Sequence, residues 1–182
     1  MITQLLNNKG PAYNSFKNFV LGDNFPWFYN EHFVYKEQKE HYIESENEND
    51  ISFLTHSFLN RPSGDSHPRS PKYPTVNSQH IDRFTDVLSQ IFIDNDLQPQ
   101  LVFRMNANML YPTAGNQQTM THVDHPWPHK NLIIYLTDAG GETVAGEHRH
   151  DPQEDDIITF EGAHYNLLPA IKRRVVLVAT YA

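Results

Sequence analysis

The chain has 182 residues, a formal net charge of −8, 38% hydrophobic residues and no cysteine. That length suits one domain with a core of its own, and the missing thiols exclude disulfides, thiolate metal sites and cysteine nucleophiles. The acidic balance disfavours a general affinity for nucleic acid phosphates, and no apolar run approaches the ~20 residues that span a membrane. Any metal held by this protein must therefore be bound through nitrogen and oxygen.

The opening stretch "MITQLLNNKG" has neither the basic start nor the apolar run of a signal peptide, so the expectation is a soluble cytoplasmic protein. Residues 14–35 are aromatic and mixed, with a turn expected at Gly22-Asp23-Asn24. Residues 36–50 carry charges of both signs and read as a solvated connection, and 51–59, "ISFLTHSFL", reads as a strand. Residues 60–78 hold four prolines, a glycine and several serines, a long irregular loop that is either a surface excursion or a lid over a site.

In 79–94, Ile81, Phe84, Leu88 and Ile91 recur at helical spacing, with Asn77 or Ser78 as the expected N-cap. The period then changes to two. Leu101, Phe103, Met105, Ala107, Met109 and Tyr111 alternate with Val102, Arg104, Asn106 and Asn108. The strand "NLIIYLT" at 131–137 precedes "DAGGET", whose paired glycines mark a turn. Segment 147–156 reads as a charged hairpin connection, while 156–162 and 173–181 are two further strands. The second half is thus almost wholly β, which implies a sandwich or barrel.

With 11 histidines and 22 acidic residues in the chain, chance alone supplies about one His-x-Asp/Glu tripeptide. The sequence holds two, His80-Ile81-Asp82 and His122-Val123-Asp124. Placed on a helix, His80 and Asp82 diverge by ~200° and cannot share an ion. In extended backbone His122 and Asp124 point the same way and can. A third ligand is needed from elsewhere, and His164, after the turn glycine Gly162, is available. Two histidines and one carboxylate on one face of an octahedral metal form the non-haem Fe(II) oxygenase arrangement, with three positions open. Arg174 opens an apolar strand, an odd place for a charge without a partner, and a guanidinium suits a keto acid's distal carboxylate. Taken singly, His122 with Asp124 is also a surface pair, His164 a polar residue beside a turn, and Arg174 a partner for Glu161 or another acid. His125, Trp127 and His129 sit among prolines that bar a helix, a rigid loop near the metal and the substrate entrance.

The order "YPTAG…HVD…YLTDAGGET…FEGAH…RRVVLVATY" resembles the Fe(II)/2-oxoglutarate-dependent oxygenases, in particular the prolyl-4-hydroxylase-like branch and its small phage-encoded members. The resemblance covers roughly 101–181, with a weaker echo in "NFPWFYNEHF". It implies a double-stranded β-helix (a cupin-like jelly roll) within a single domain, 1–182, in which 1–99 supplies flanking strands and helices and 100–182 the core with the metal site. It implies His122, Asp124 and His164 as the iron ligands and catalytic centre. Arg174 is the implied 2-oxoglutarate anchor, with Arg173 as its rival, and Tyr111 a second hydrogen-bond donor to the co-substrate. Asn108 is a further candidate there, from its place on the polar face of its strand. The family often has asparagine where Thr137 stands and tyrosine where Ile134 stands, which leaves other co-substrate contacts open.

The implied cofactors are Fe(II), 2-oxoglutarate and O2, with ascorbate as reductant. The implied reaction is hydroxylation of a C–H bond coupled to conversion of 2-oxoglutarate to succinate and CO2. Asp124 favours oxygenation over halogenation, which needs an open position where the carboxylate stands. The primary substrate is a protein or peptide side chain such as proline, or a small molecule, and a phage origin would place the enzyme in the host cytoplasm. Two other classes stand beside this one: a non-catalytic jelly-roll binding module, and a zinc hydrolase that would leave Arg174 without a role.

Overall fold

The computed structural model describes residues 1–32, 51–63, 71–114 and 117–182. Among these, eleven strands and two helices follow in the order β1 (Thr3–Leu5), α1 (Pro11–Leu21), β2 (Phe28–Asn30), β3 (Phe53–Asn60), β4 (Thr75–Val76), α2 (Ile81–Asp94), β5 (Val102–Leu110), β6 (Lys130–Tyr135), β7 (Thr143–Ala145), β8 (His148–His150), β9 (Ile157–Glu161), β10 (His164–Asn166) and β11 (Arg174–Tyr181). The charged connection at 36–50 lies outside the described residues, as does 64–70 within the proline-rich loop.

The larger sheet runs β1-β9-β6-β11-β5-β3-β2, with β4 also paired to β3. The smaller one runs β10-β7-β8, and all these pairings are antiparallel. Bridges between Gln118 and Leu167 and between His122 and His164 carry the smaller layer one segment further. The architecture is mainly β, a jelly roll in which two sheets enclose a cavity.

Period-two alternation splits the residues of the large sheet between two faces. Met105, Ala107 and Met109 on β5, Leu132 and Ile134 on β6, and Leu177 and Ala179 on β11 join one core with Phe16 of α1 and Phe84 and Leu88 of α2. Burying each large side chain there contributes about 1.5–3 kcal/mol. The opposite face sends Arg104, Asn106, Asn108, Asn131, Ile133, Arg174, Val176 and Val178 into the cavity. The polar face of β5 is thus interior, not solvated, with Asn106 and Asn108 each 8% exposed.

Three local expectations need correction. Residues 11–21 form a helix that runs into the mixed aromatic stretch of 14–35, started by Pro11, whose fixed φ suits the first helical turn, and buried through Tyr13, Phe16 and Val20. The N-cap position of α2 is His80, without a side-chain cap bond; Ser78 Oγ instead accepts the His80 N–H at 3.1 Å and meets His56 Nε2 at 2.8 Å. The connection at 147–156 contains β8, and the proline-rich loop contains the two-residue β4.

Candidate metal centre

The site grows out of a single backbone bridge. His122 N–H donates to His164 O at 3.0 Å, and His164 N–H donates to His122 O at 2.9 Å. The two residues therefore face each other directly, and their imidazole centroids lie 4.4 Å apart. Asp124, two residues on and at a bend of the chain, brings its carboxylate to the same side. One ligand atom from each of His122, Asp124 and His164 lies within 4.8 Å of the others, so the three could hold a metal ion.

Each side chain is aimed by a neighbour. The Nδ1 atoms of His122 and His164 lie 3.0 Å from Met120 O and 3.3 Å from Gly162 O. An imidazole donating from Nδ1 to a carbonyl keeps the lone pair of Nε2 for a metal. The Asp124 carboxylate is 4% exposed and takes a hydrogen bond from Arg104 Nη1 on Oδ1. Its Oδ2 lies 3.7 Å from His164 Nε2. Arg61 Nη1 donates to the Asp124 backbone oxygen at 2.8 Å. The Asn106 amide, oriented with its oxygen toward Arg104, accepts from Nε at 3.1 Å and Nη2 at 3.0 Å.

Electrostatics agree with a ligand set ready for a cation. Burial lowers His164 to about 3, reinforced by the adjacent His122, and burial likewise lowers His122. Burial opposes ionisation of Asp124, but the Arg104 guanidinium overcomes it and holds the carboxyl far below its usual range. Neutral imidazoles and an ionised carboxylate are the protonation states that metal ligation requires. With two nitrogens, one oxygen and no sulfur, this set suits Fe(II) in a facial triad.

A second feature shares the cavity of about 300 Å³. Arg174 is 3% exposed, and its Nη2 donates to Asn166 Oδ1 at 2.9 Å and Thr143 Oγ1 at 3.1 Å. Its guanidinium carbon lies 5.2 Å from the Tyr135 ring centroid, and the Tyr135 hydroxyl reaches Thr143 Oγ1 at 2.7 Å. Burial pushes the Arg174 pKa down against the Tyr135 hydroxyl, yet a guanidinium stays charged in a protein. Among the described residues it has no carboxylate partner, and its Nε has no hydrogen-bond partner. The carboxylate of Glu161, one partner the sequence allowed, instead lies 3.9 Å from Lys130 Nζ. A buried cation without an anion is a costly arrangement that a bound carboxylate would relieve.

Of the remaining sequence candidates, one lines the same cavity and the others lie outside it. Asn108 lines the cavity, with its Oδ1 accepting from Thr55 Oγ1 at 2.7 Å. Arg173 is exposed and donates to Leu21 O at 3.2 Å. Tyr111 is 57% exposed and stands outside the cavity lining. His80 packs on Phe19, with centroids 4.7 Å apart. His125 stacks on Trp127 with centroids 4.9 Å apart, and its Nε2 lies 2.7 Å from Thr180 Oγ1. Val123 stands between their pocket and the central cavity, lining both.

Sequence reasoning passed over Arg61, Arg104, Asn131, Tyr135, Thr143 and Asn166. Strand parity held a signal for two of them. Arg104 shares a face with Asn106 and Asn108, and Asn131 shares one with Ile133. Thr143 and Asn166 are register partners across β7 and β10, a pairing that no local pattern announces.

No protein-family model matches this chain, and no curated protein matches it. Among solved structures, it is similar to an oxidoreductase of the 2OG-Fe(II) oxygenase family from Burkholderia pseudomallei, with TM-score 0.58, 14% identity, and 97% of this chain and 93% of that one covered. It is also similar to a Pseudomonas putida prolyl-4-hydroxylase, with TM-score 0.42, 13% identity, and 94% and 99% covered. A Trichoplax adhaerens prolyl hydroxylase in complex with a hypoxia-inducible-factor peptide gives TM-score 0.43, 12% identity, and 92% and 89% covered. The two likenesses below 0.5 carry no weight here, and identities this low show a shared fold alone. The chain has the jelly-roll fold of the Burkholderia oxygenase along nearly its whole length.

Proposed function

We propose that this chain is an Fe(II)- and 2-oxoglutarate-dependent oxygenase that hydroxylates a C–H bond of a peptide or small molecule. One observation supports this above the rest: a His122–Asp124–His164 cluster shares one cavity with a buried Arg174 that has no carboxylate partner among the described residues. An inert jelly roll, or a zinc hydrolase on the same three ligands, gives that arginine no task.

His122, Asp124 and His164 would hold the iron, and Arg174 with Thr143 and Tyr135 would receive the distal carboxylate of 2-oxoglutarate. Iron, 2-oxoglutarate and O2 bound together supply oxidative decarboxylation coupled to hydroxylation, with ascorbate keeping the iron reduced. The protein orients and encloses the reactants. Arg104 holds Asp124 by one oxygen and leaves the other free for the metal. The Met120 and Gly162 carbonyls hold the imidazole rings in place. Ile133, Phe160, Val176 and Val178 give the cavity apolar walls that limit water around the reacting carbon.

The test is anaerobic addition of Fe(II) and then 2-oxoglutarate to metal-free protein, followed by visible spectroscopy. A weak charge-transfer band requiring both, and absent in His164→Ala, is the expected result. Failure of iron to bind overturns the proposal. Iron binding without the band removes Arg174, or 2-oxoglutarate itself, from it.

A further inference from the structure

Asn131 is 1% exposed, and among the described residues neither its amide nitrogen nor its amide oxygen has a hydrogen-bond partner. It is the second residue of β6, on the face it shares with Ile133, and it lines the central cavity. Buried polar groups are nearly always paired. A carboxamide with its donor and its acceptor both open in a cavity wall is therefore a docking point.

The sheet register places this amide at the metal end. Thr180 on β11 and Phe160 on β9 flank Asn131. The Thr180 hydroxyl is already engaged by His125 Nε2 at 2.7 Å, and the Phe160 ring meets the His164 imidazole edge-on, with centroids 4.9 Å apart. Tyr135 and Arg174 lie toward the other end of the same strands, across from Val176 and Leu110. A co-substrate anchored at Arg174 leaves the Asn131 end for whatever molecule is oxidised.

The chemistry of the open pair narrows that molecule. The Asn131 NH2 needs an acceptor, and its oxygen needs a donor. A carboxylate or phosphodiester offers acceptors alone, and an ammonium offers donors alone. An amide presents N–H and C=O in one plane and satisfies both. The walls beside it, Ile133, Phe160 and Val178, are apolar and suit the carbon flanks of such a group better than a charge. We propose that Asn131 is a specificity-determining residue that docks an uncharged amide of the primary substrate, a peptide bond or carboxamide, at the metal end of the cavity. The inference rests on reading the site as an oxygenase, but the amide preference is measurable without any metal.

The probes are N-acetylalanine methylamide and its isosteric methyl ester, titrated by ligand-observed NMR. The titrations use metal-free protein and protein loaded with Zn(II) and 2-oxoglutarate. The methylamide is expected to bind more tightly than the ester by on the order of tenfold. Asn131→Leu and Asn131→Ala should erase the difference and leave Zn(II) and 2-oxoglutarate affinities unchanged. Equal binding of amide and ester overturns the proposal, as does no binding of the amide at its solubility limit. A preference that survives in both variants also overturns it, and loss of 2-oxoglutarate binding in them would assign the amide to the co-substrate instead. An amide preference in a wild-type protein that binds neither Zn(II) nor 2-oxoglutarate supports the docking point while overturning the oxygenase reading.

Discussion

His122 and His164 exchange both backbone hydrogen bonds of an antiparallel bridge, so the two rings are set by the main chain and not by each other. Truncating either side chain leaves that frame intact. His164→Ala is expected to lower Co(II) or Fe(II) affinity by more than about 100-fold, beyond the usual loss for an outer-shell partner. Circular dichroism should remain unchanged, and equilibrium dialysis measures the affinity.

Arg104 stands one step back from the three candidate metal ligands. Its Nη1 holds Asp124, while its other nitrogens meet the Asn106 oxygen. Arg104→Met removes the cation from a buried carboxylate and should weaken metal binding by about 10–100-fold. Arg104→Lys keeps the charge without the planar fork and should recover part of the loss. Metal titration of the two variants checks the order.

Arg174 predicts a trade between stability and binding. It is buried with polar neighbours but no carboxylate among the described residues. Replacing such a cation by an apolar side chain of similar length strands no anion. Arg174→Met should therefore leave the protein unchanged or more stable by about 1–2 kcal/mol, raising Tm by about 2–8 °C. The same variant should lose 2-oxoglutarate binding while keeping the metal. Differential scanning calorimetry and isothermal titration calorimetry read the two effects separately.

The paired glycines before β7 predict unequal costs. Gly140 has φ +68° and open space around a would-be Cβ, whereas at Gly141, φ +81°, that atom would lie 2.6 Å from Leu167 O. Gly140→Ala should cost about 1–2 kcal/mol for the left-handed backbone alone. Gly141→Ala should cost more, and it should also weaken 2-oxoglutarate binding by pushing on the chain beside Asn166. Denaturant melts of both variants test the ranking.

Asp155 predicts a pH dependence remote from the candidate metal ligands. It accepts from Tyr13 OH at 2.6 Å and pairs with Lys9 and Lys17, tying the N-terminal helix to the turn before β9. Burial raises its pKa, but the bonds from Lys17, Tyr13 and Lys9 outweigh it, and the net shift is downward. A depressed carboxyl contributes stability above its unfolded value of ~3.9 and loses it as pH falls through the lower, folded value. Asp155→Asn, which tolerates the local φ of +73°, should cost about 1.5 kcal/mol near neutral pH and show a flatter loss of Tm below about pH 4. Thermal melts across that range check both.

The periodicity of the second half determined by itself the four longer strands, β5, β6, β9 and β11, and which of their residues share a face, but not the three-residue strands β7, β8 and β10. Side-chain parity along a strand is a local property, which is why Met105, Ala107 and Met109 separate cleanly from Arg104, Asn106 and Asn108. The backbone expected at each identical His-x-Asp spacing, extended or helical, separated His122 and Asp124 from His80 and Asp82, although His80 itself stands at the N-cap, just outside α2. Which parity faces the cavity is not local. Asn108 could have met solvent, and the cavity it lines with His122, His164 and Asn166 makes it interior. The helix 11–21 gathers Tyr13, Phe16, Phe19 and Val20 on one side, a spacing masked in the sequence by the further aromatics that follow it at 25–35. Tertiary structure alone paired His122 with His164, brought Arg104 to Asp124, and joined Thr143 and Asn166 beneath Arg174. Those contacts join residues far apart in the chain through strand register, and register depends on how the whole sheet closes.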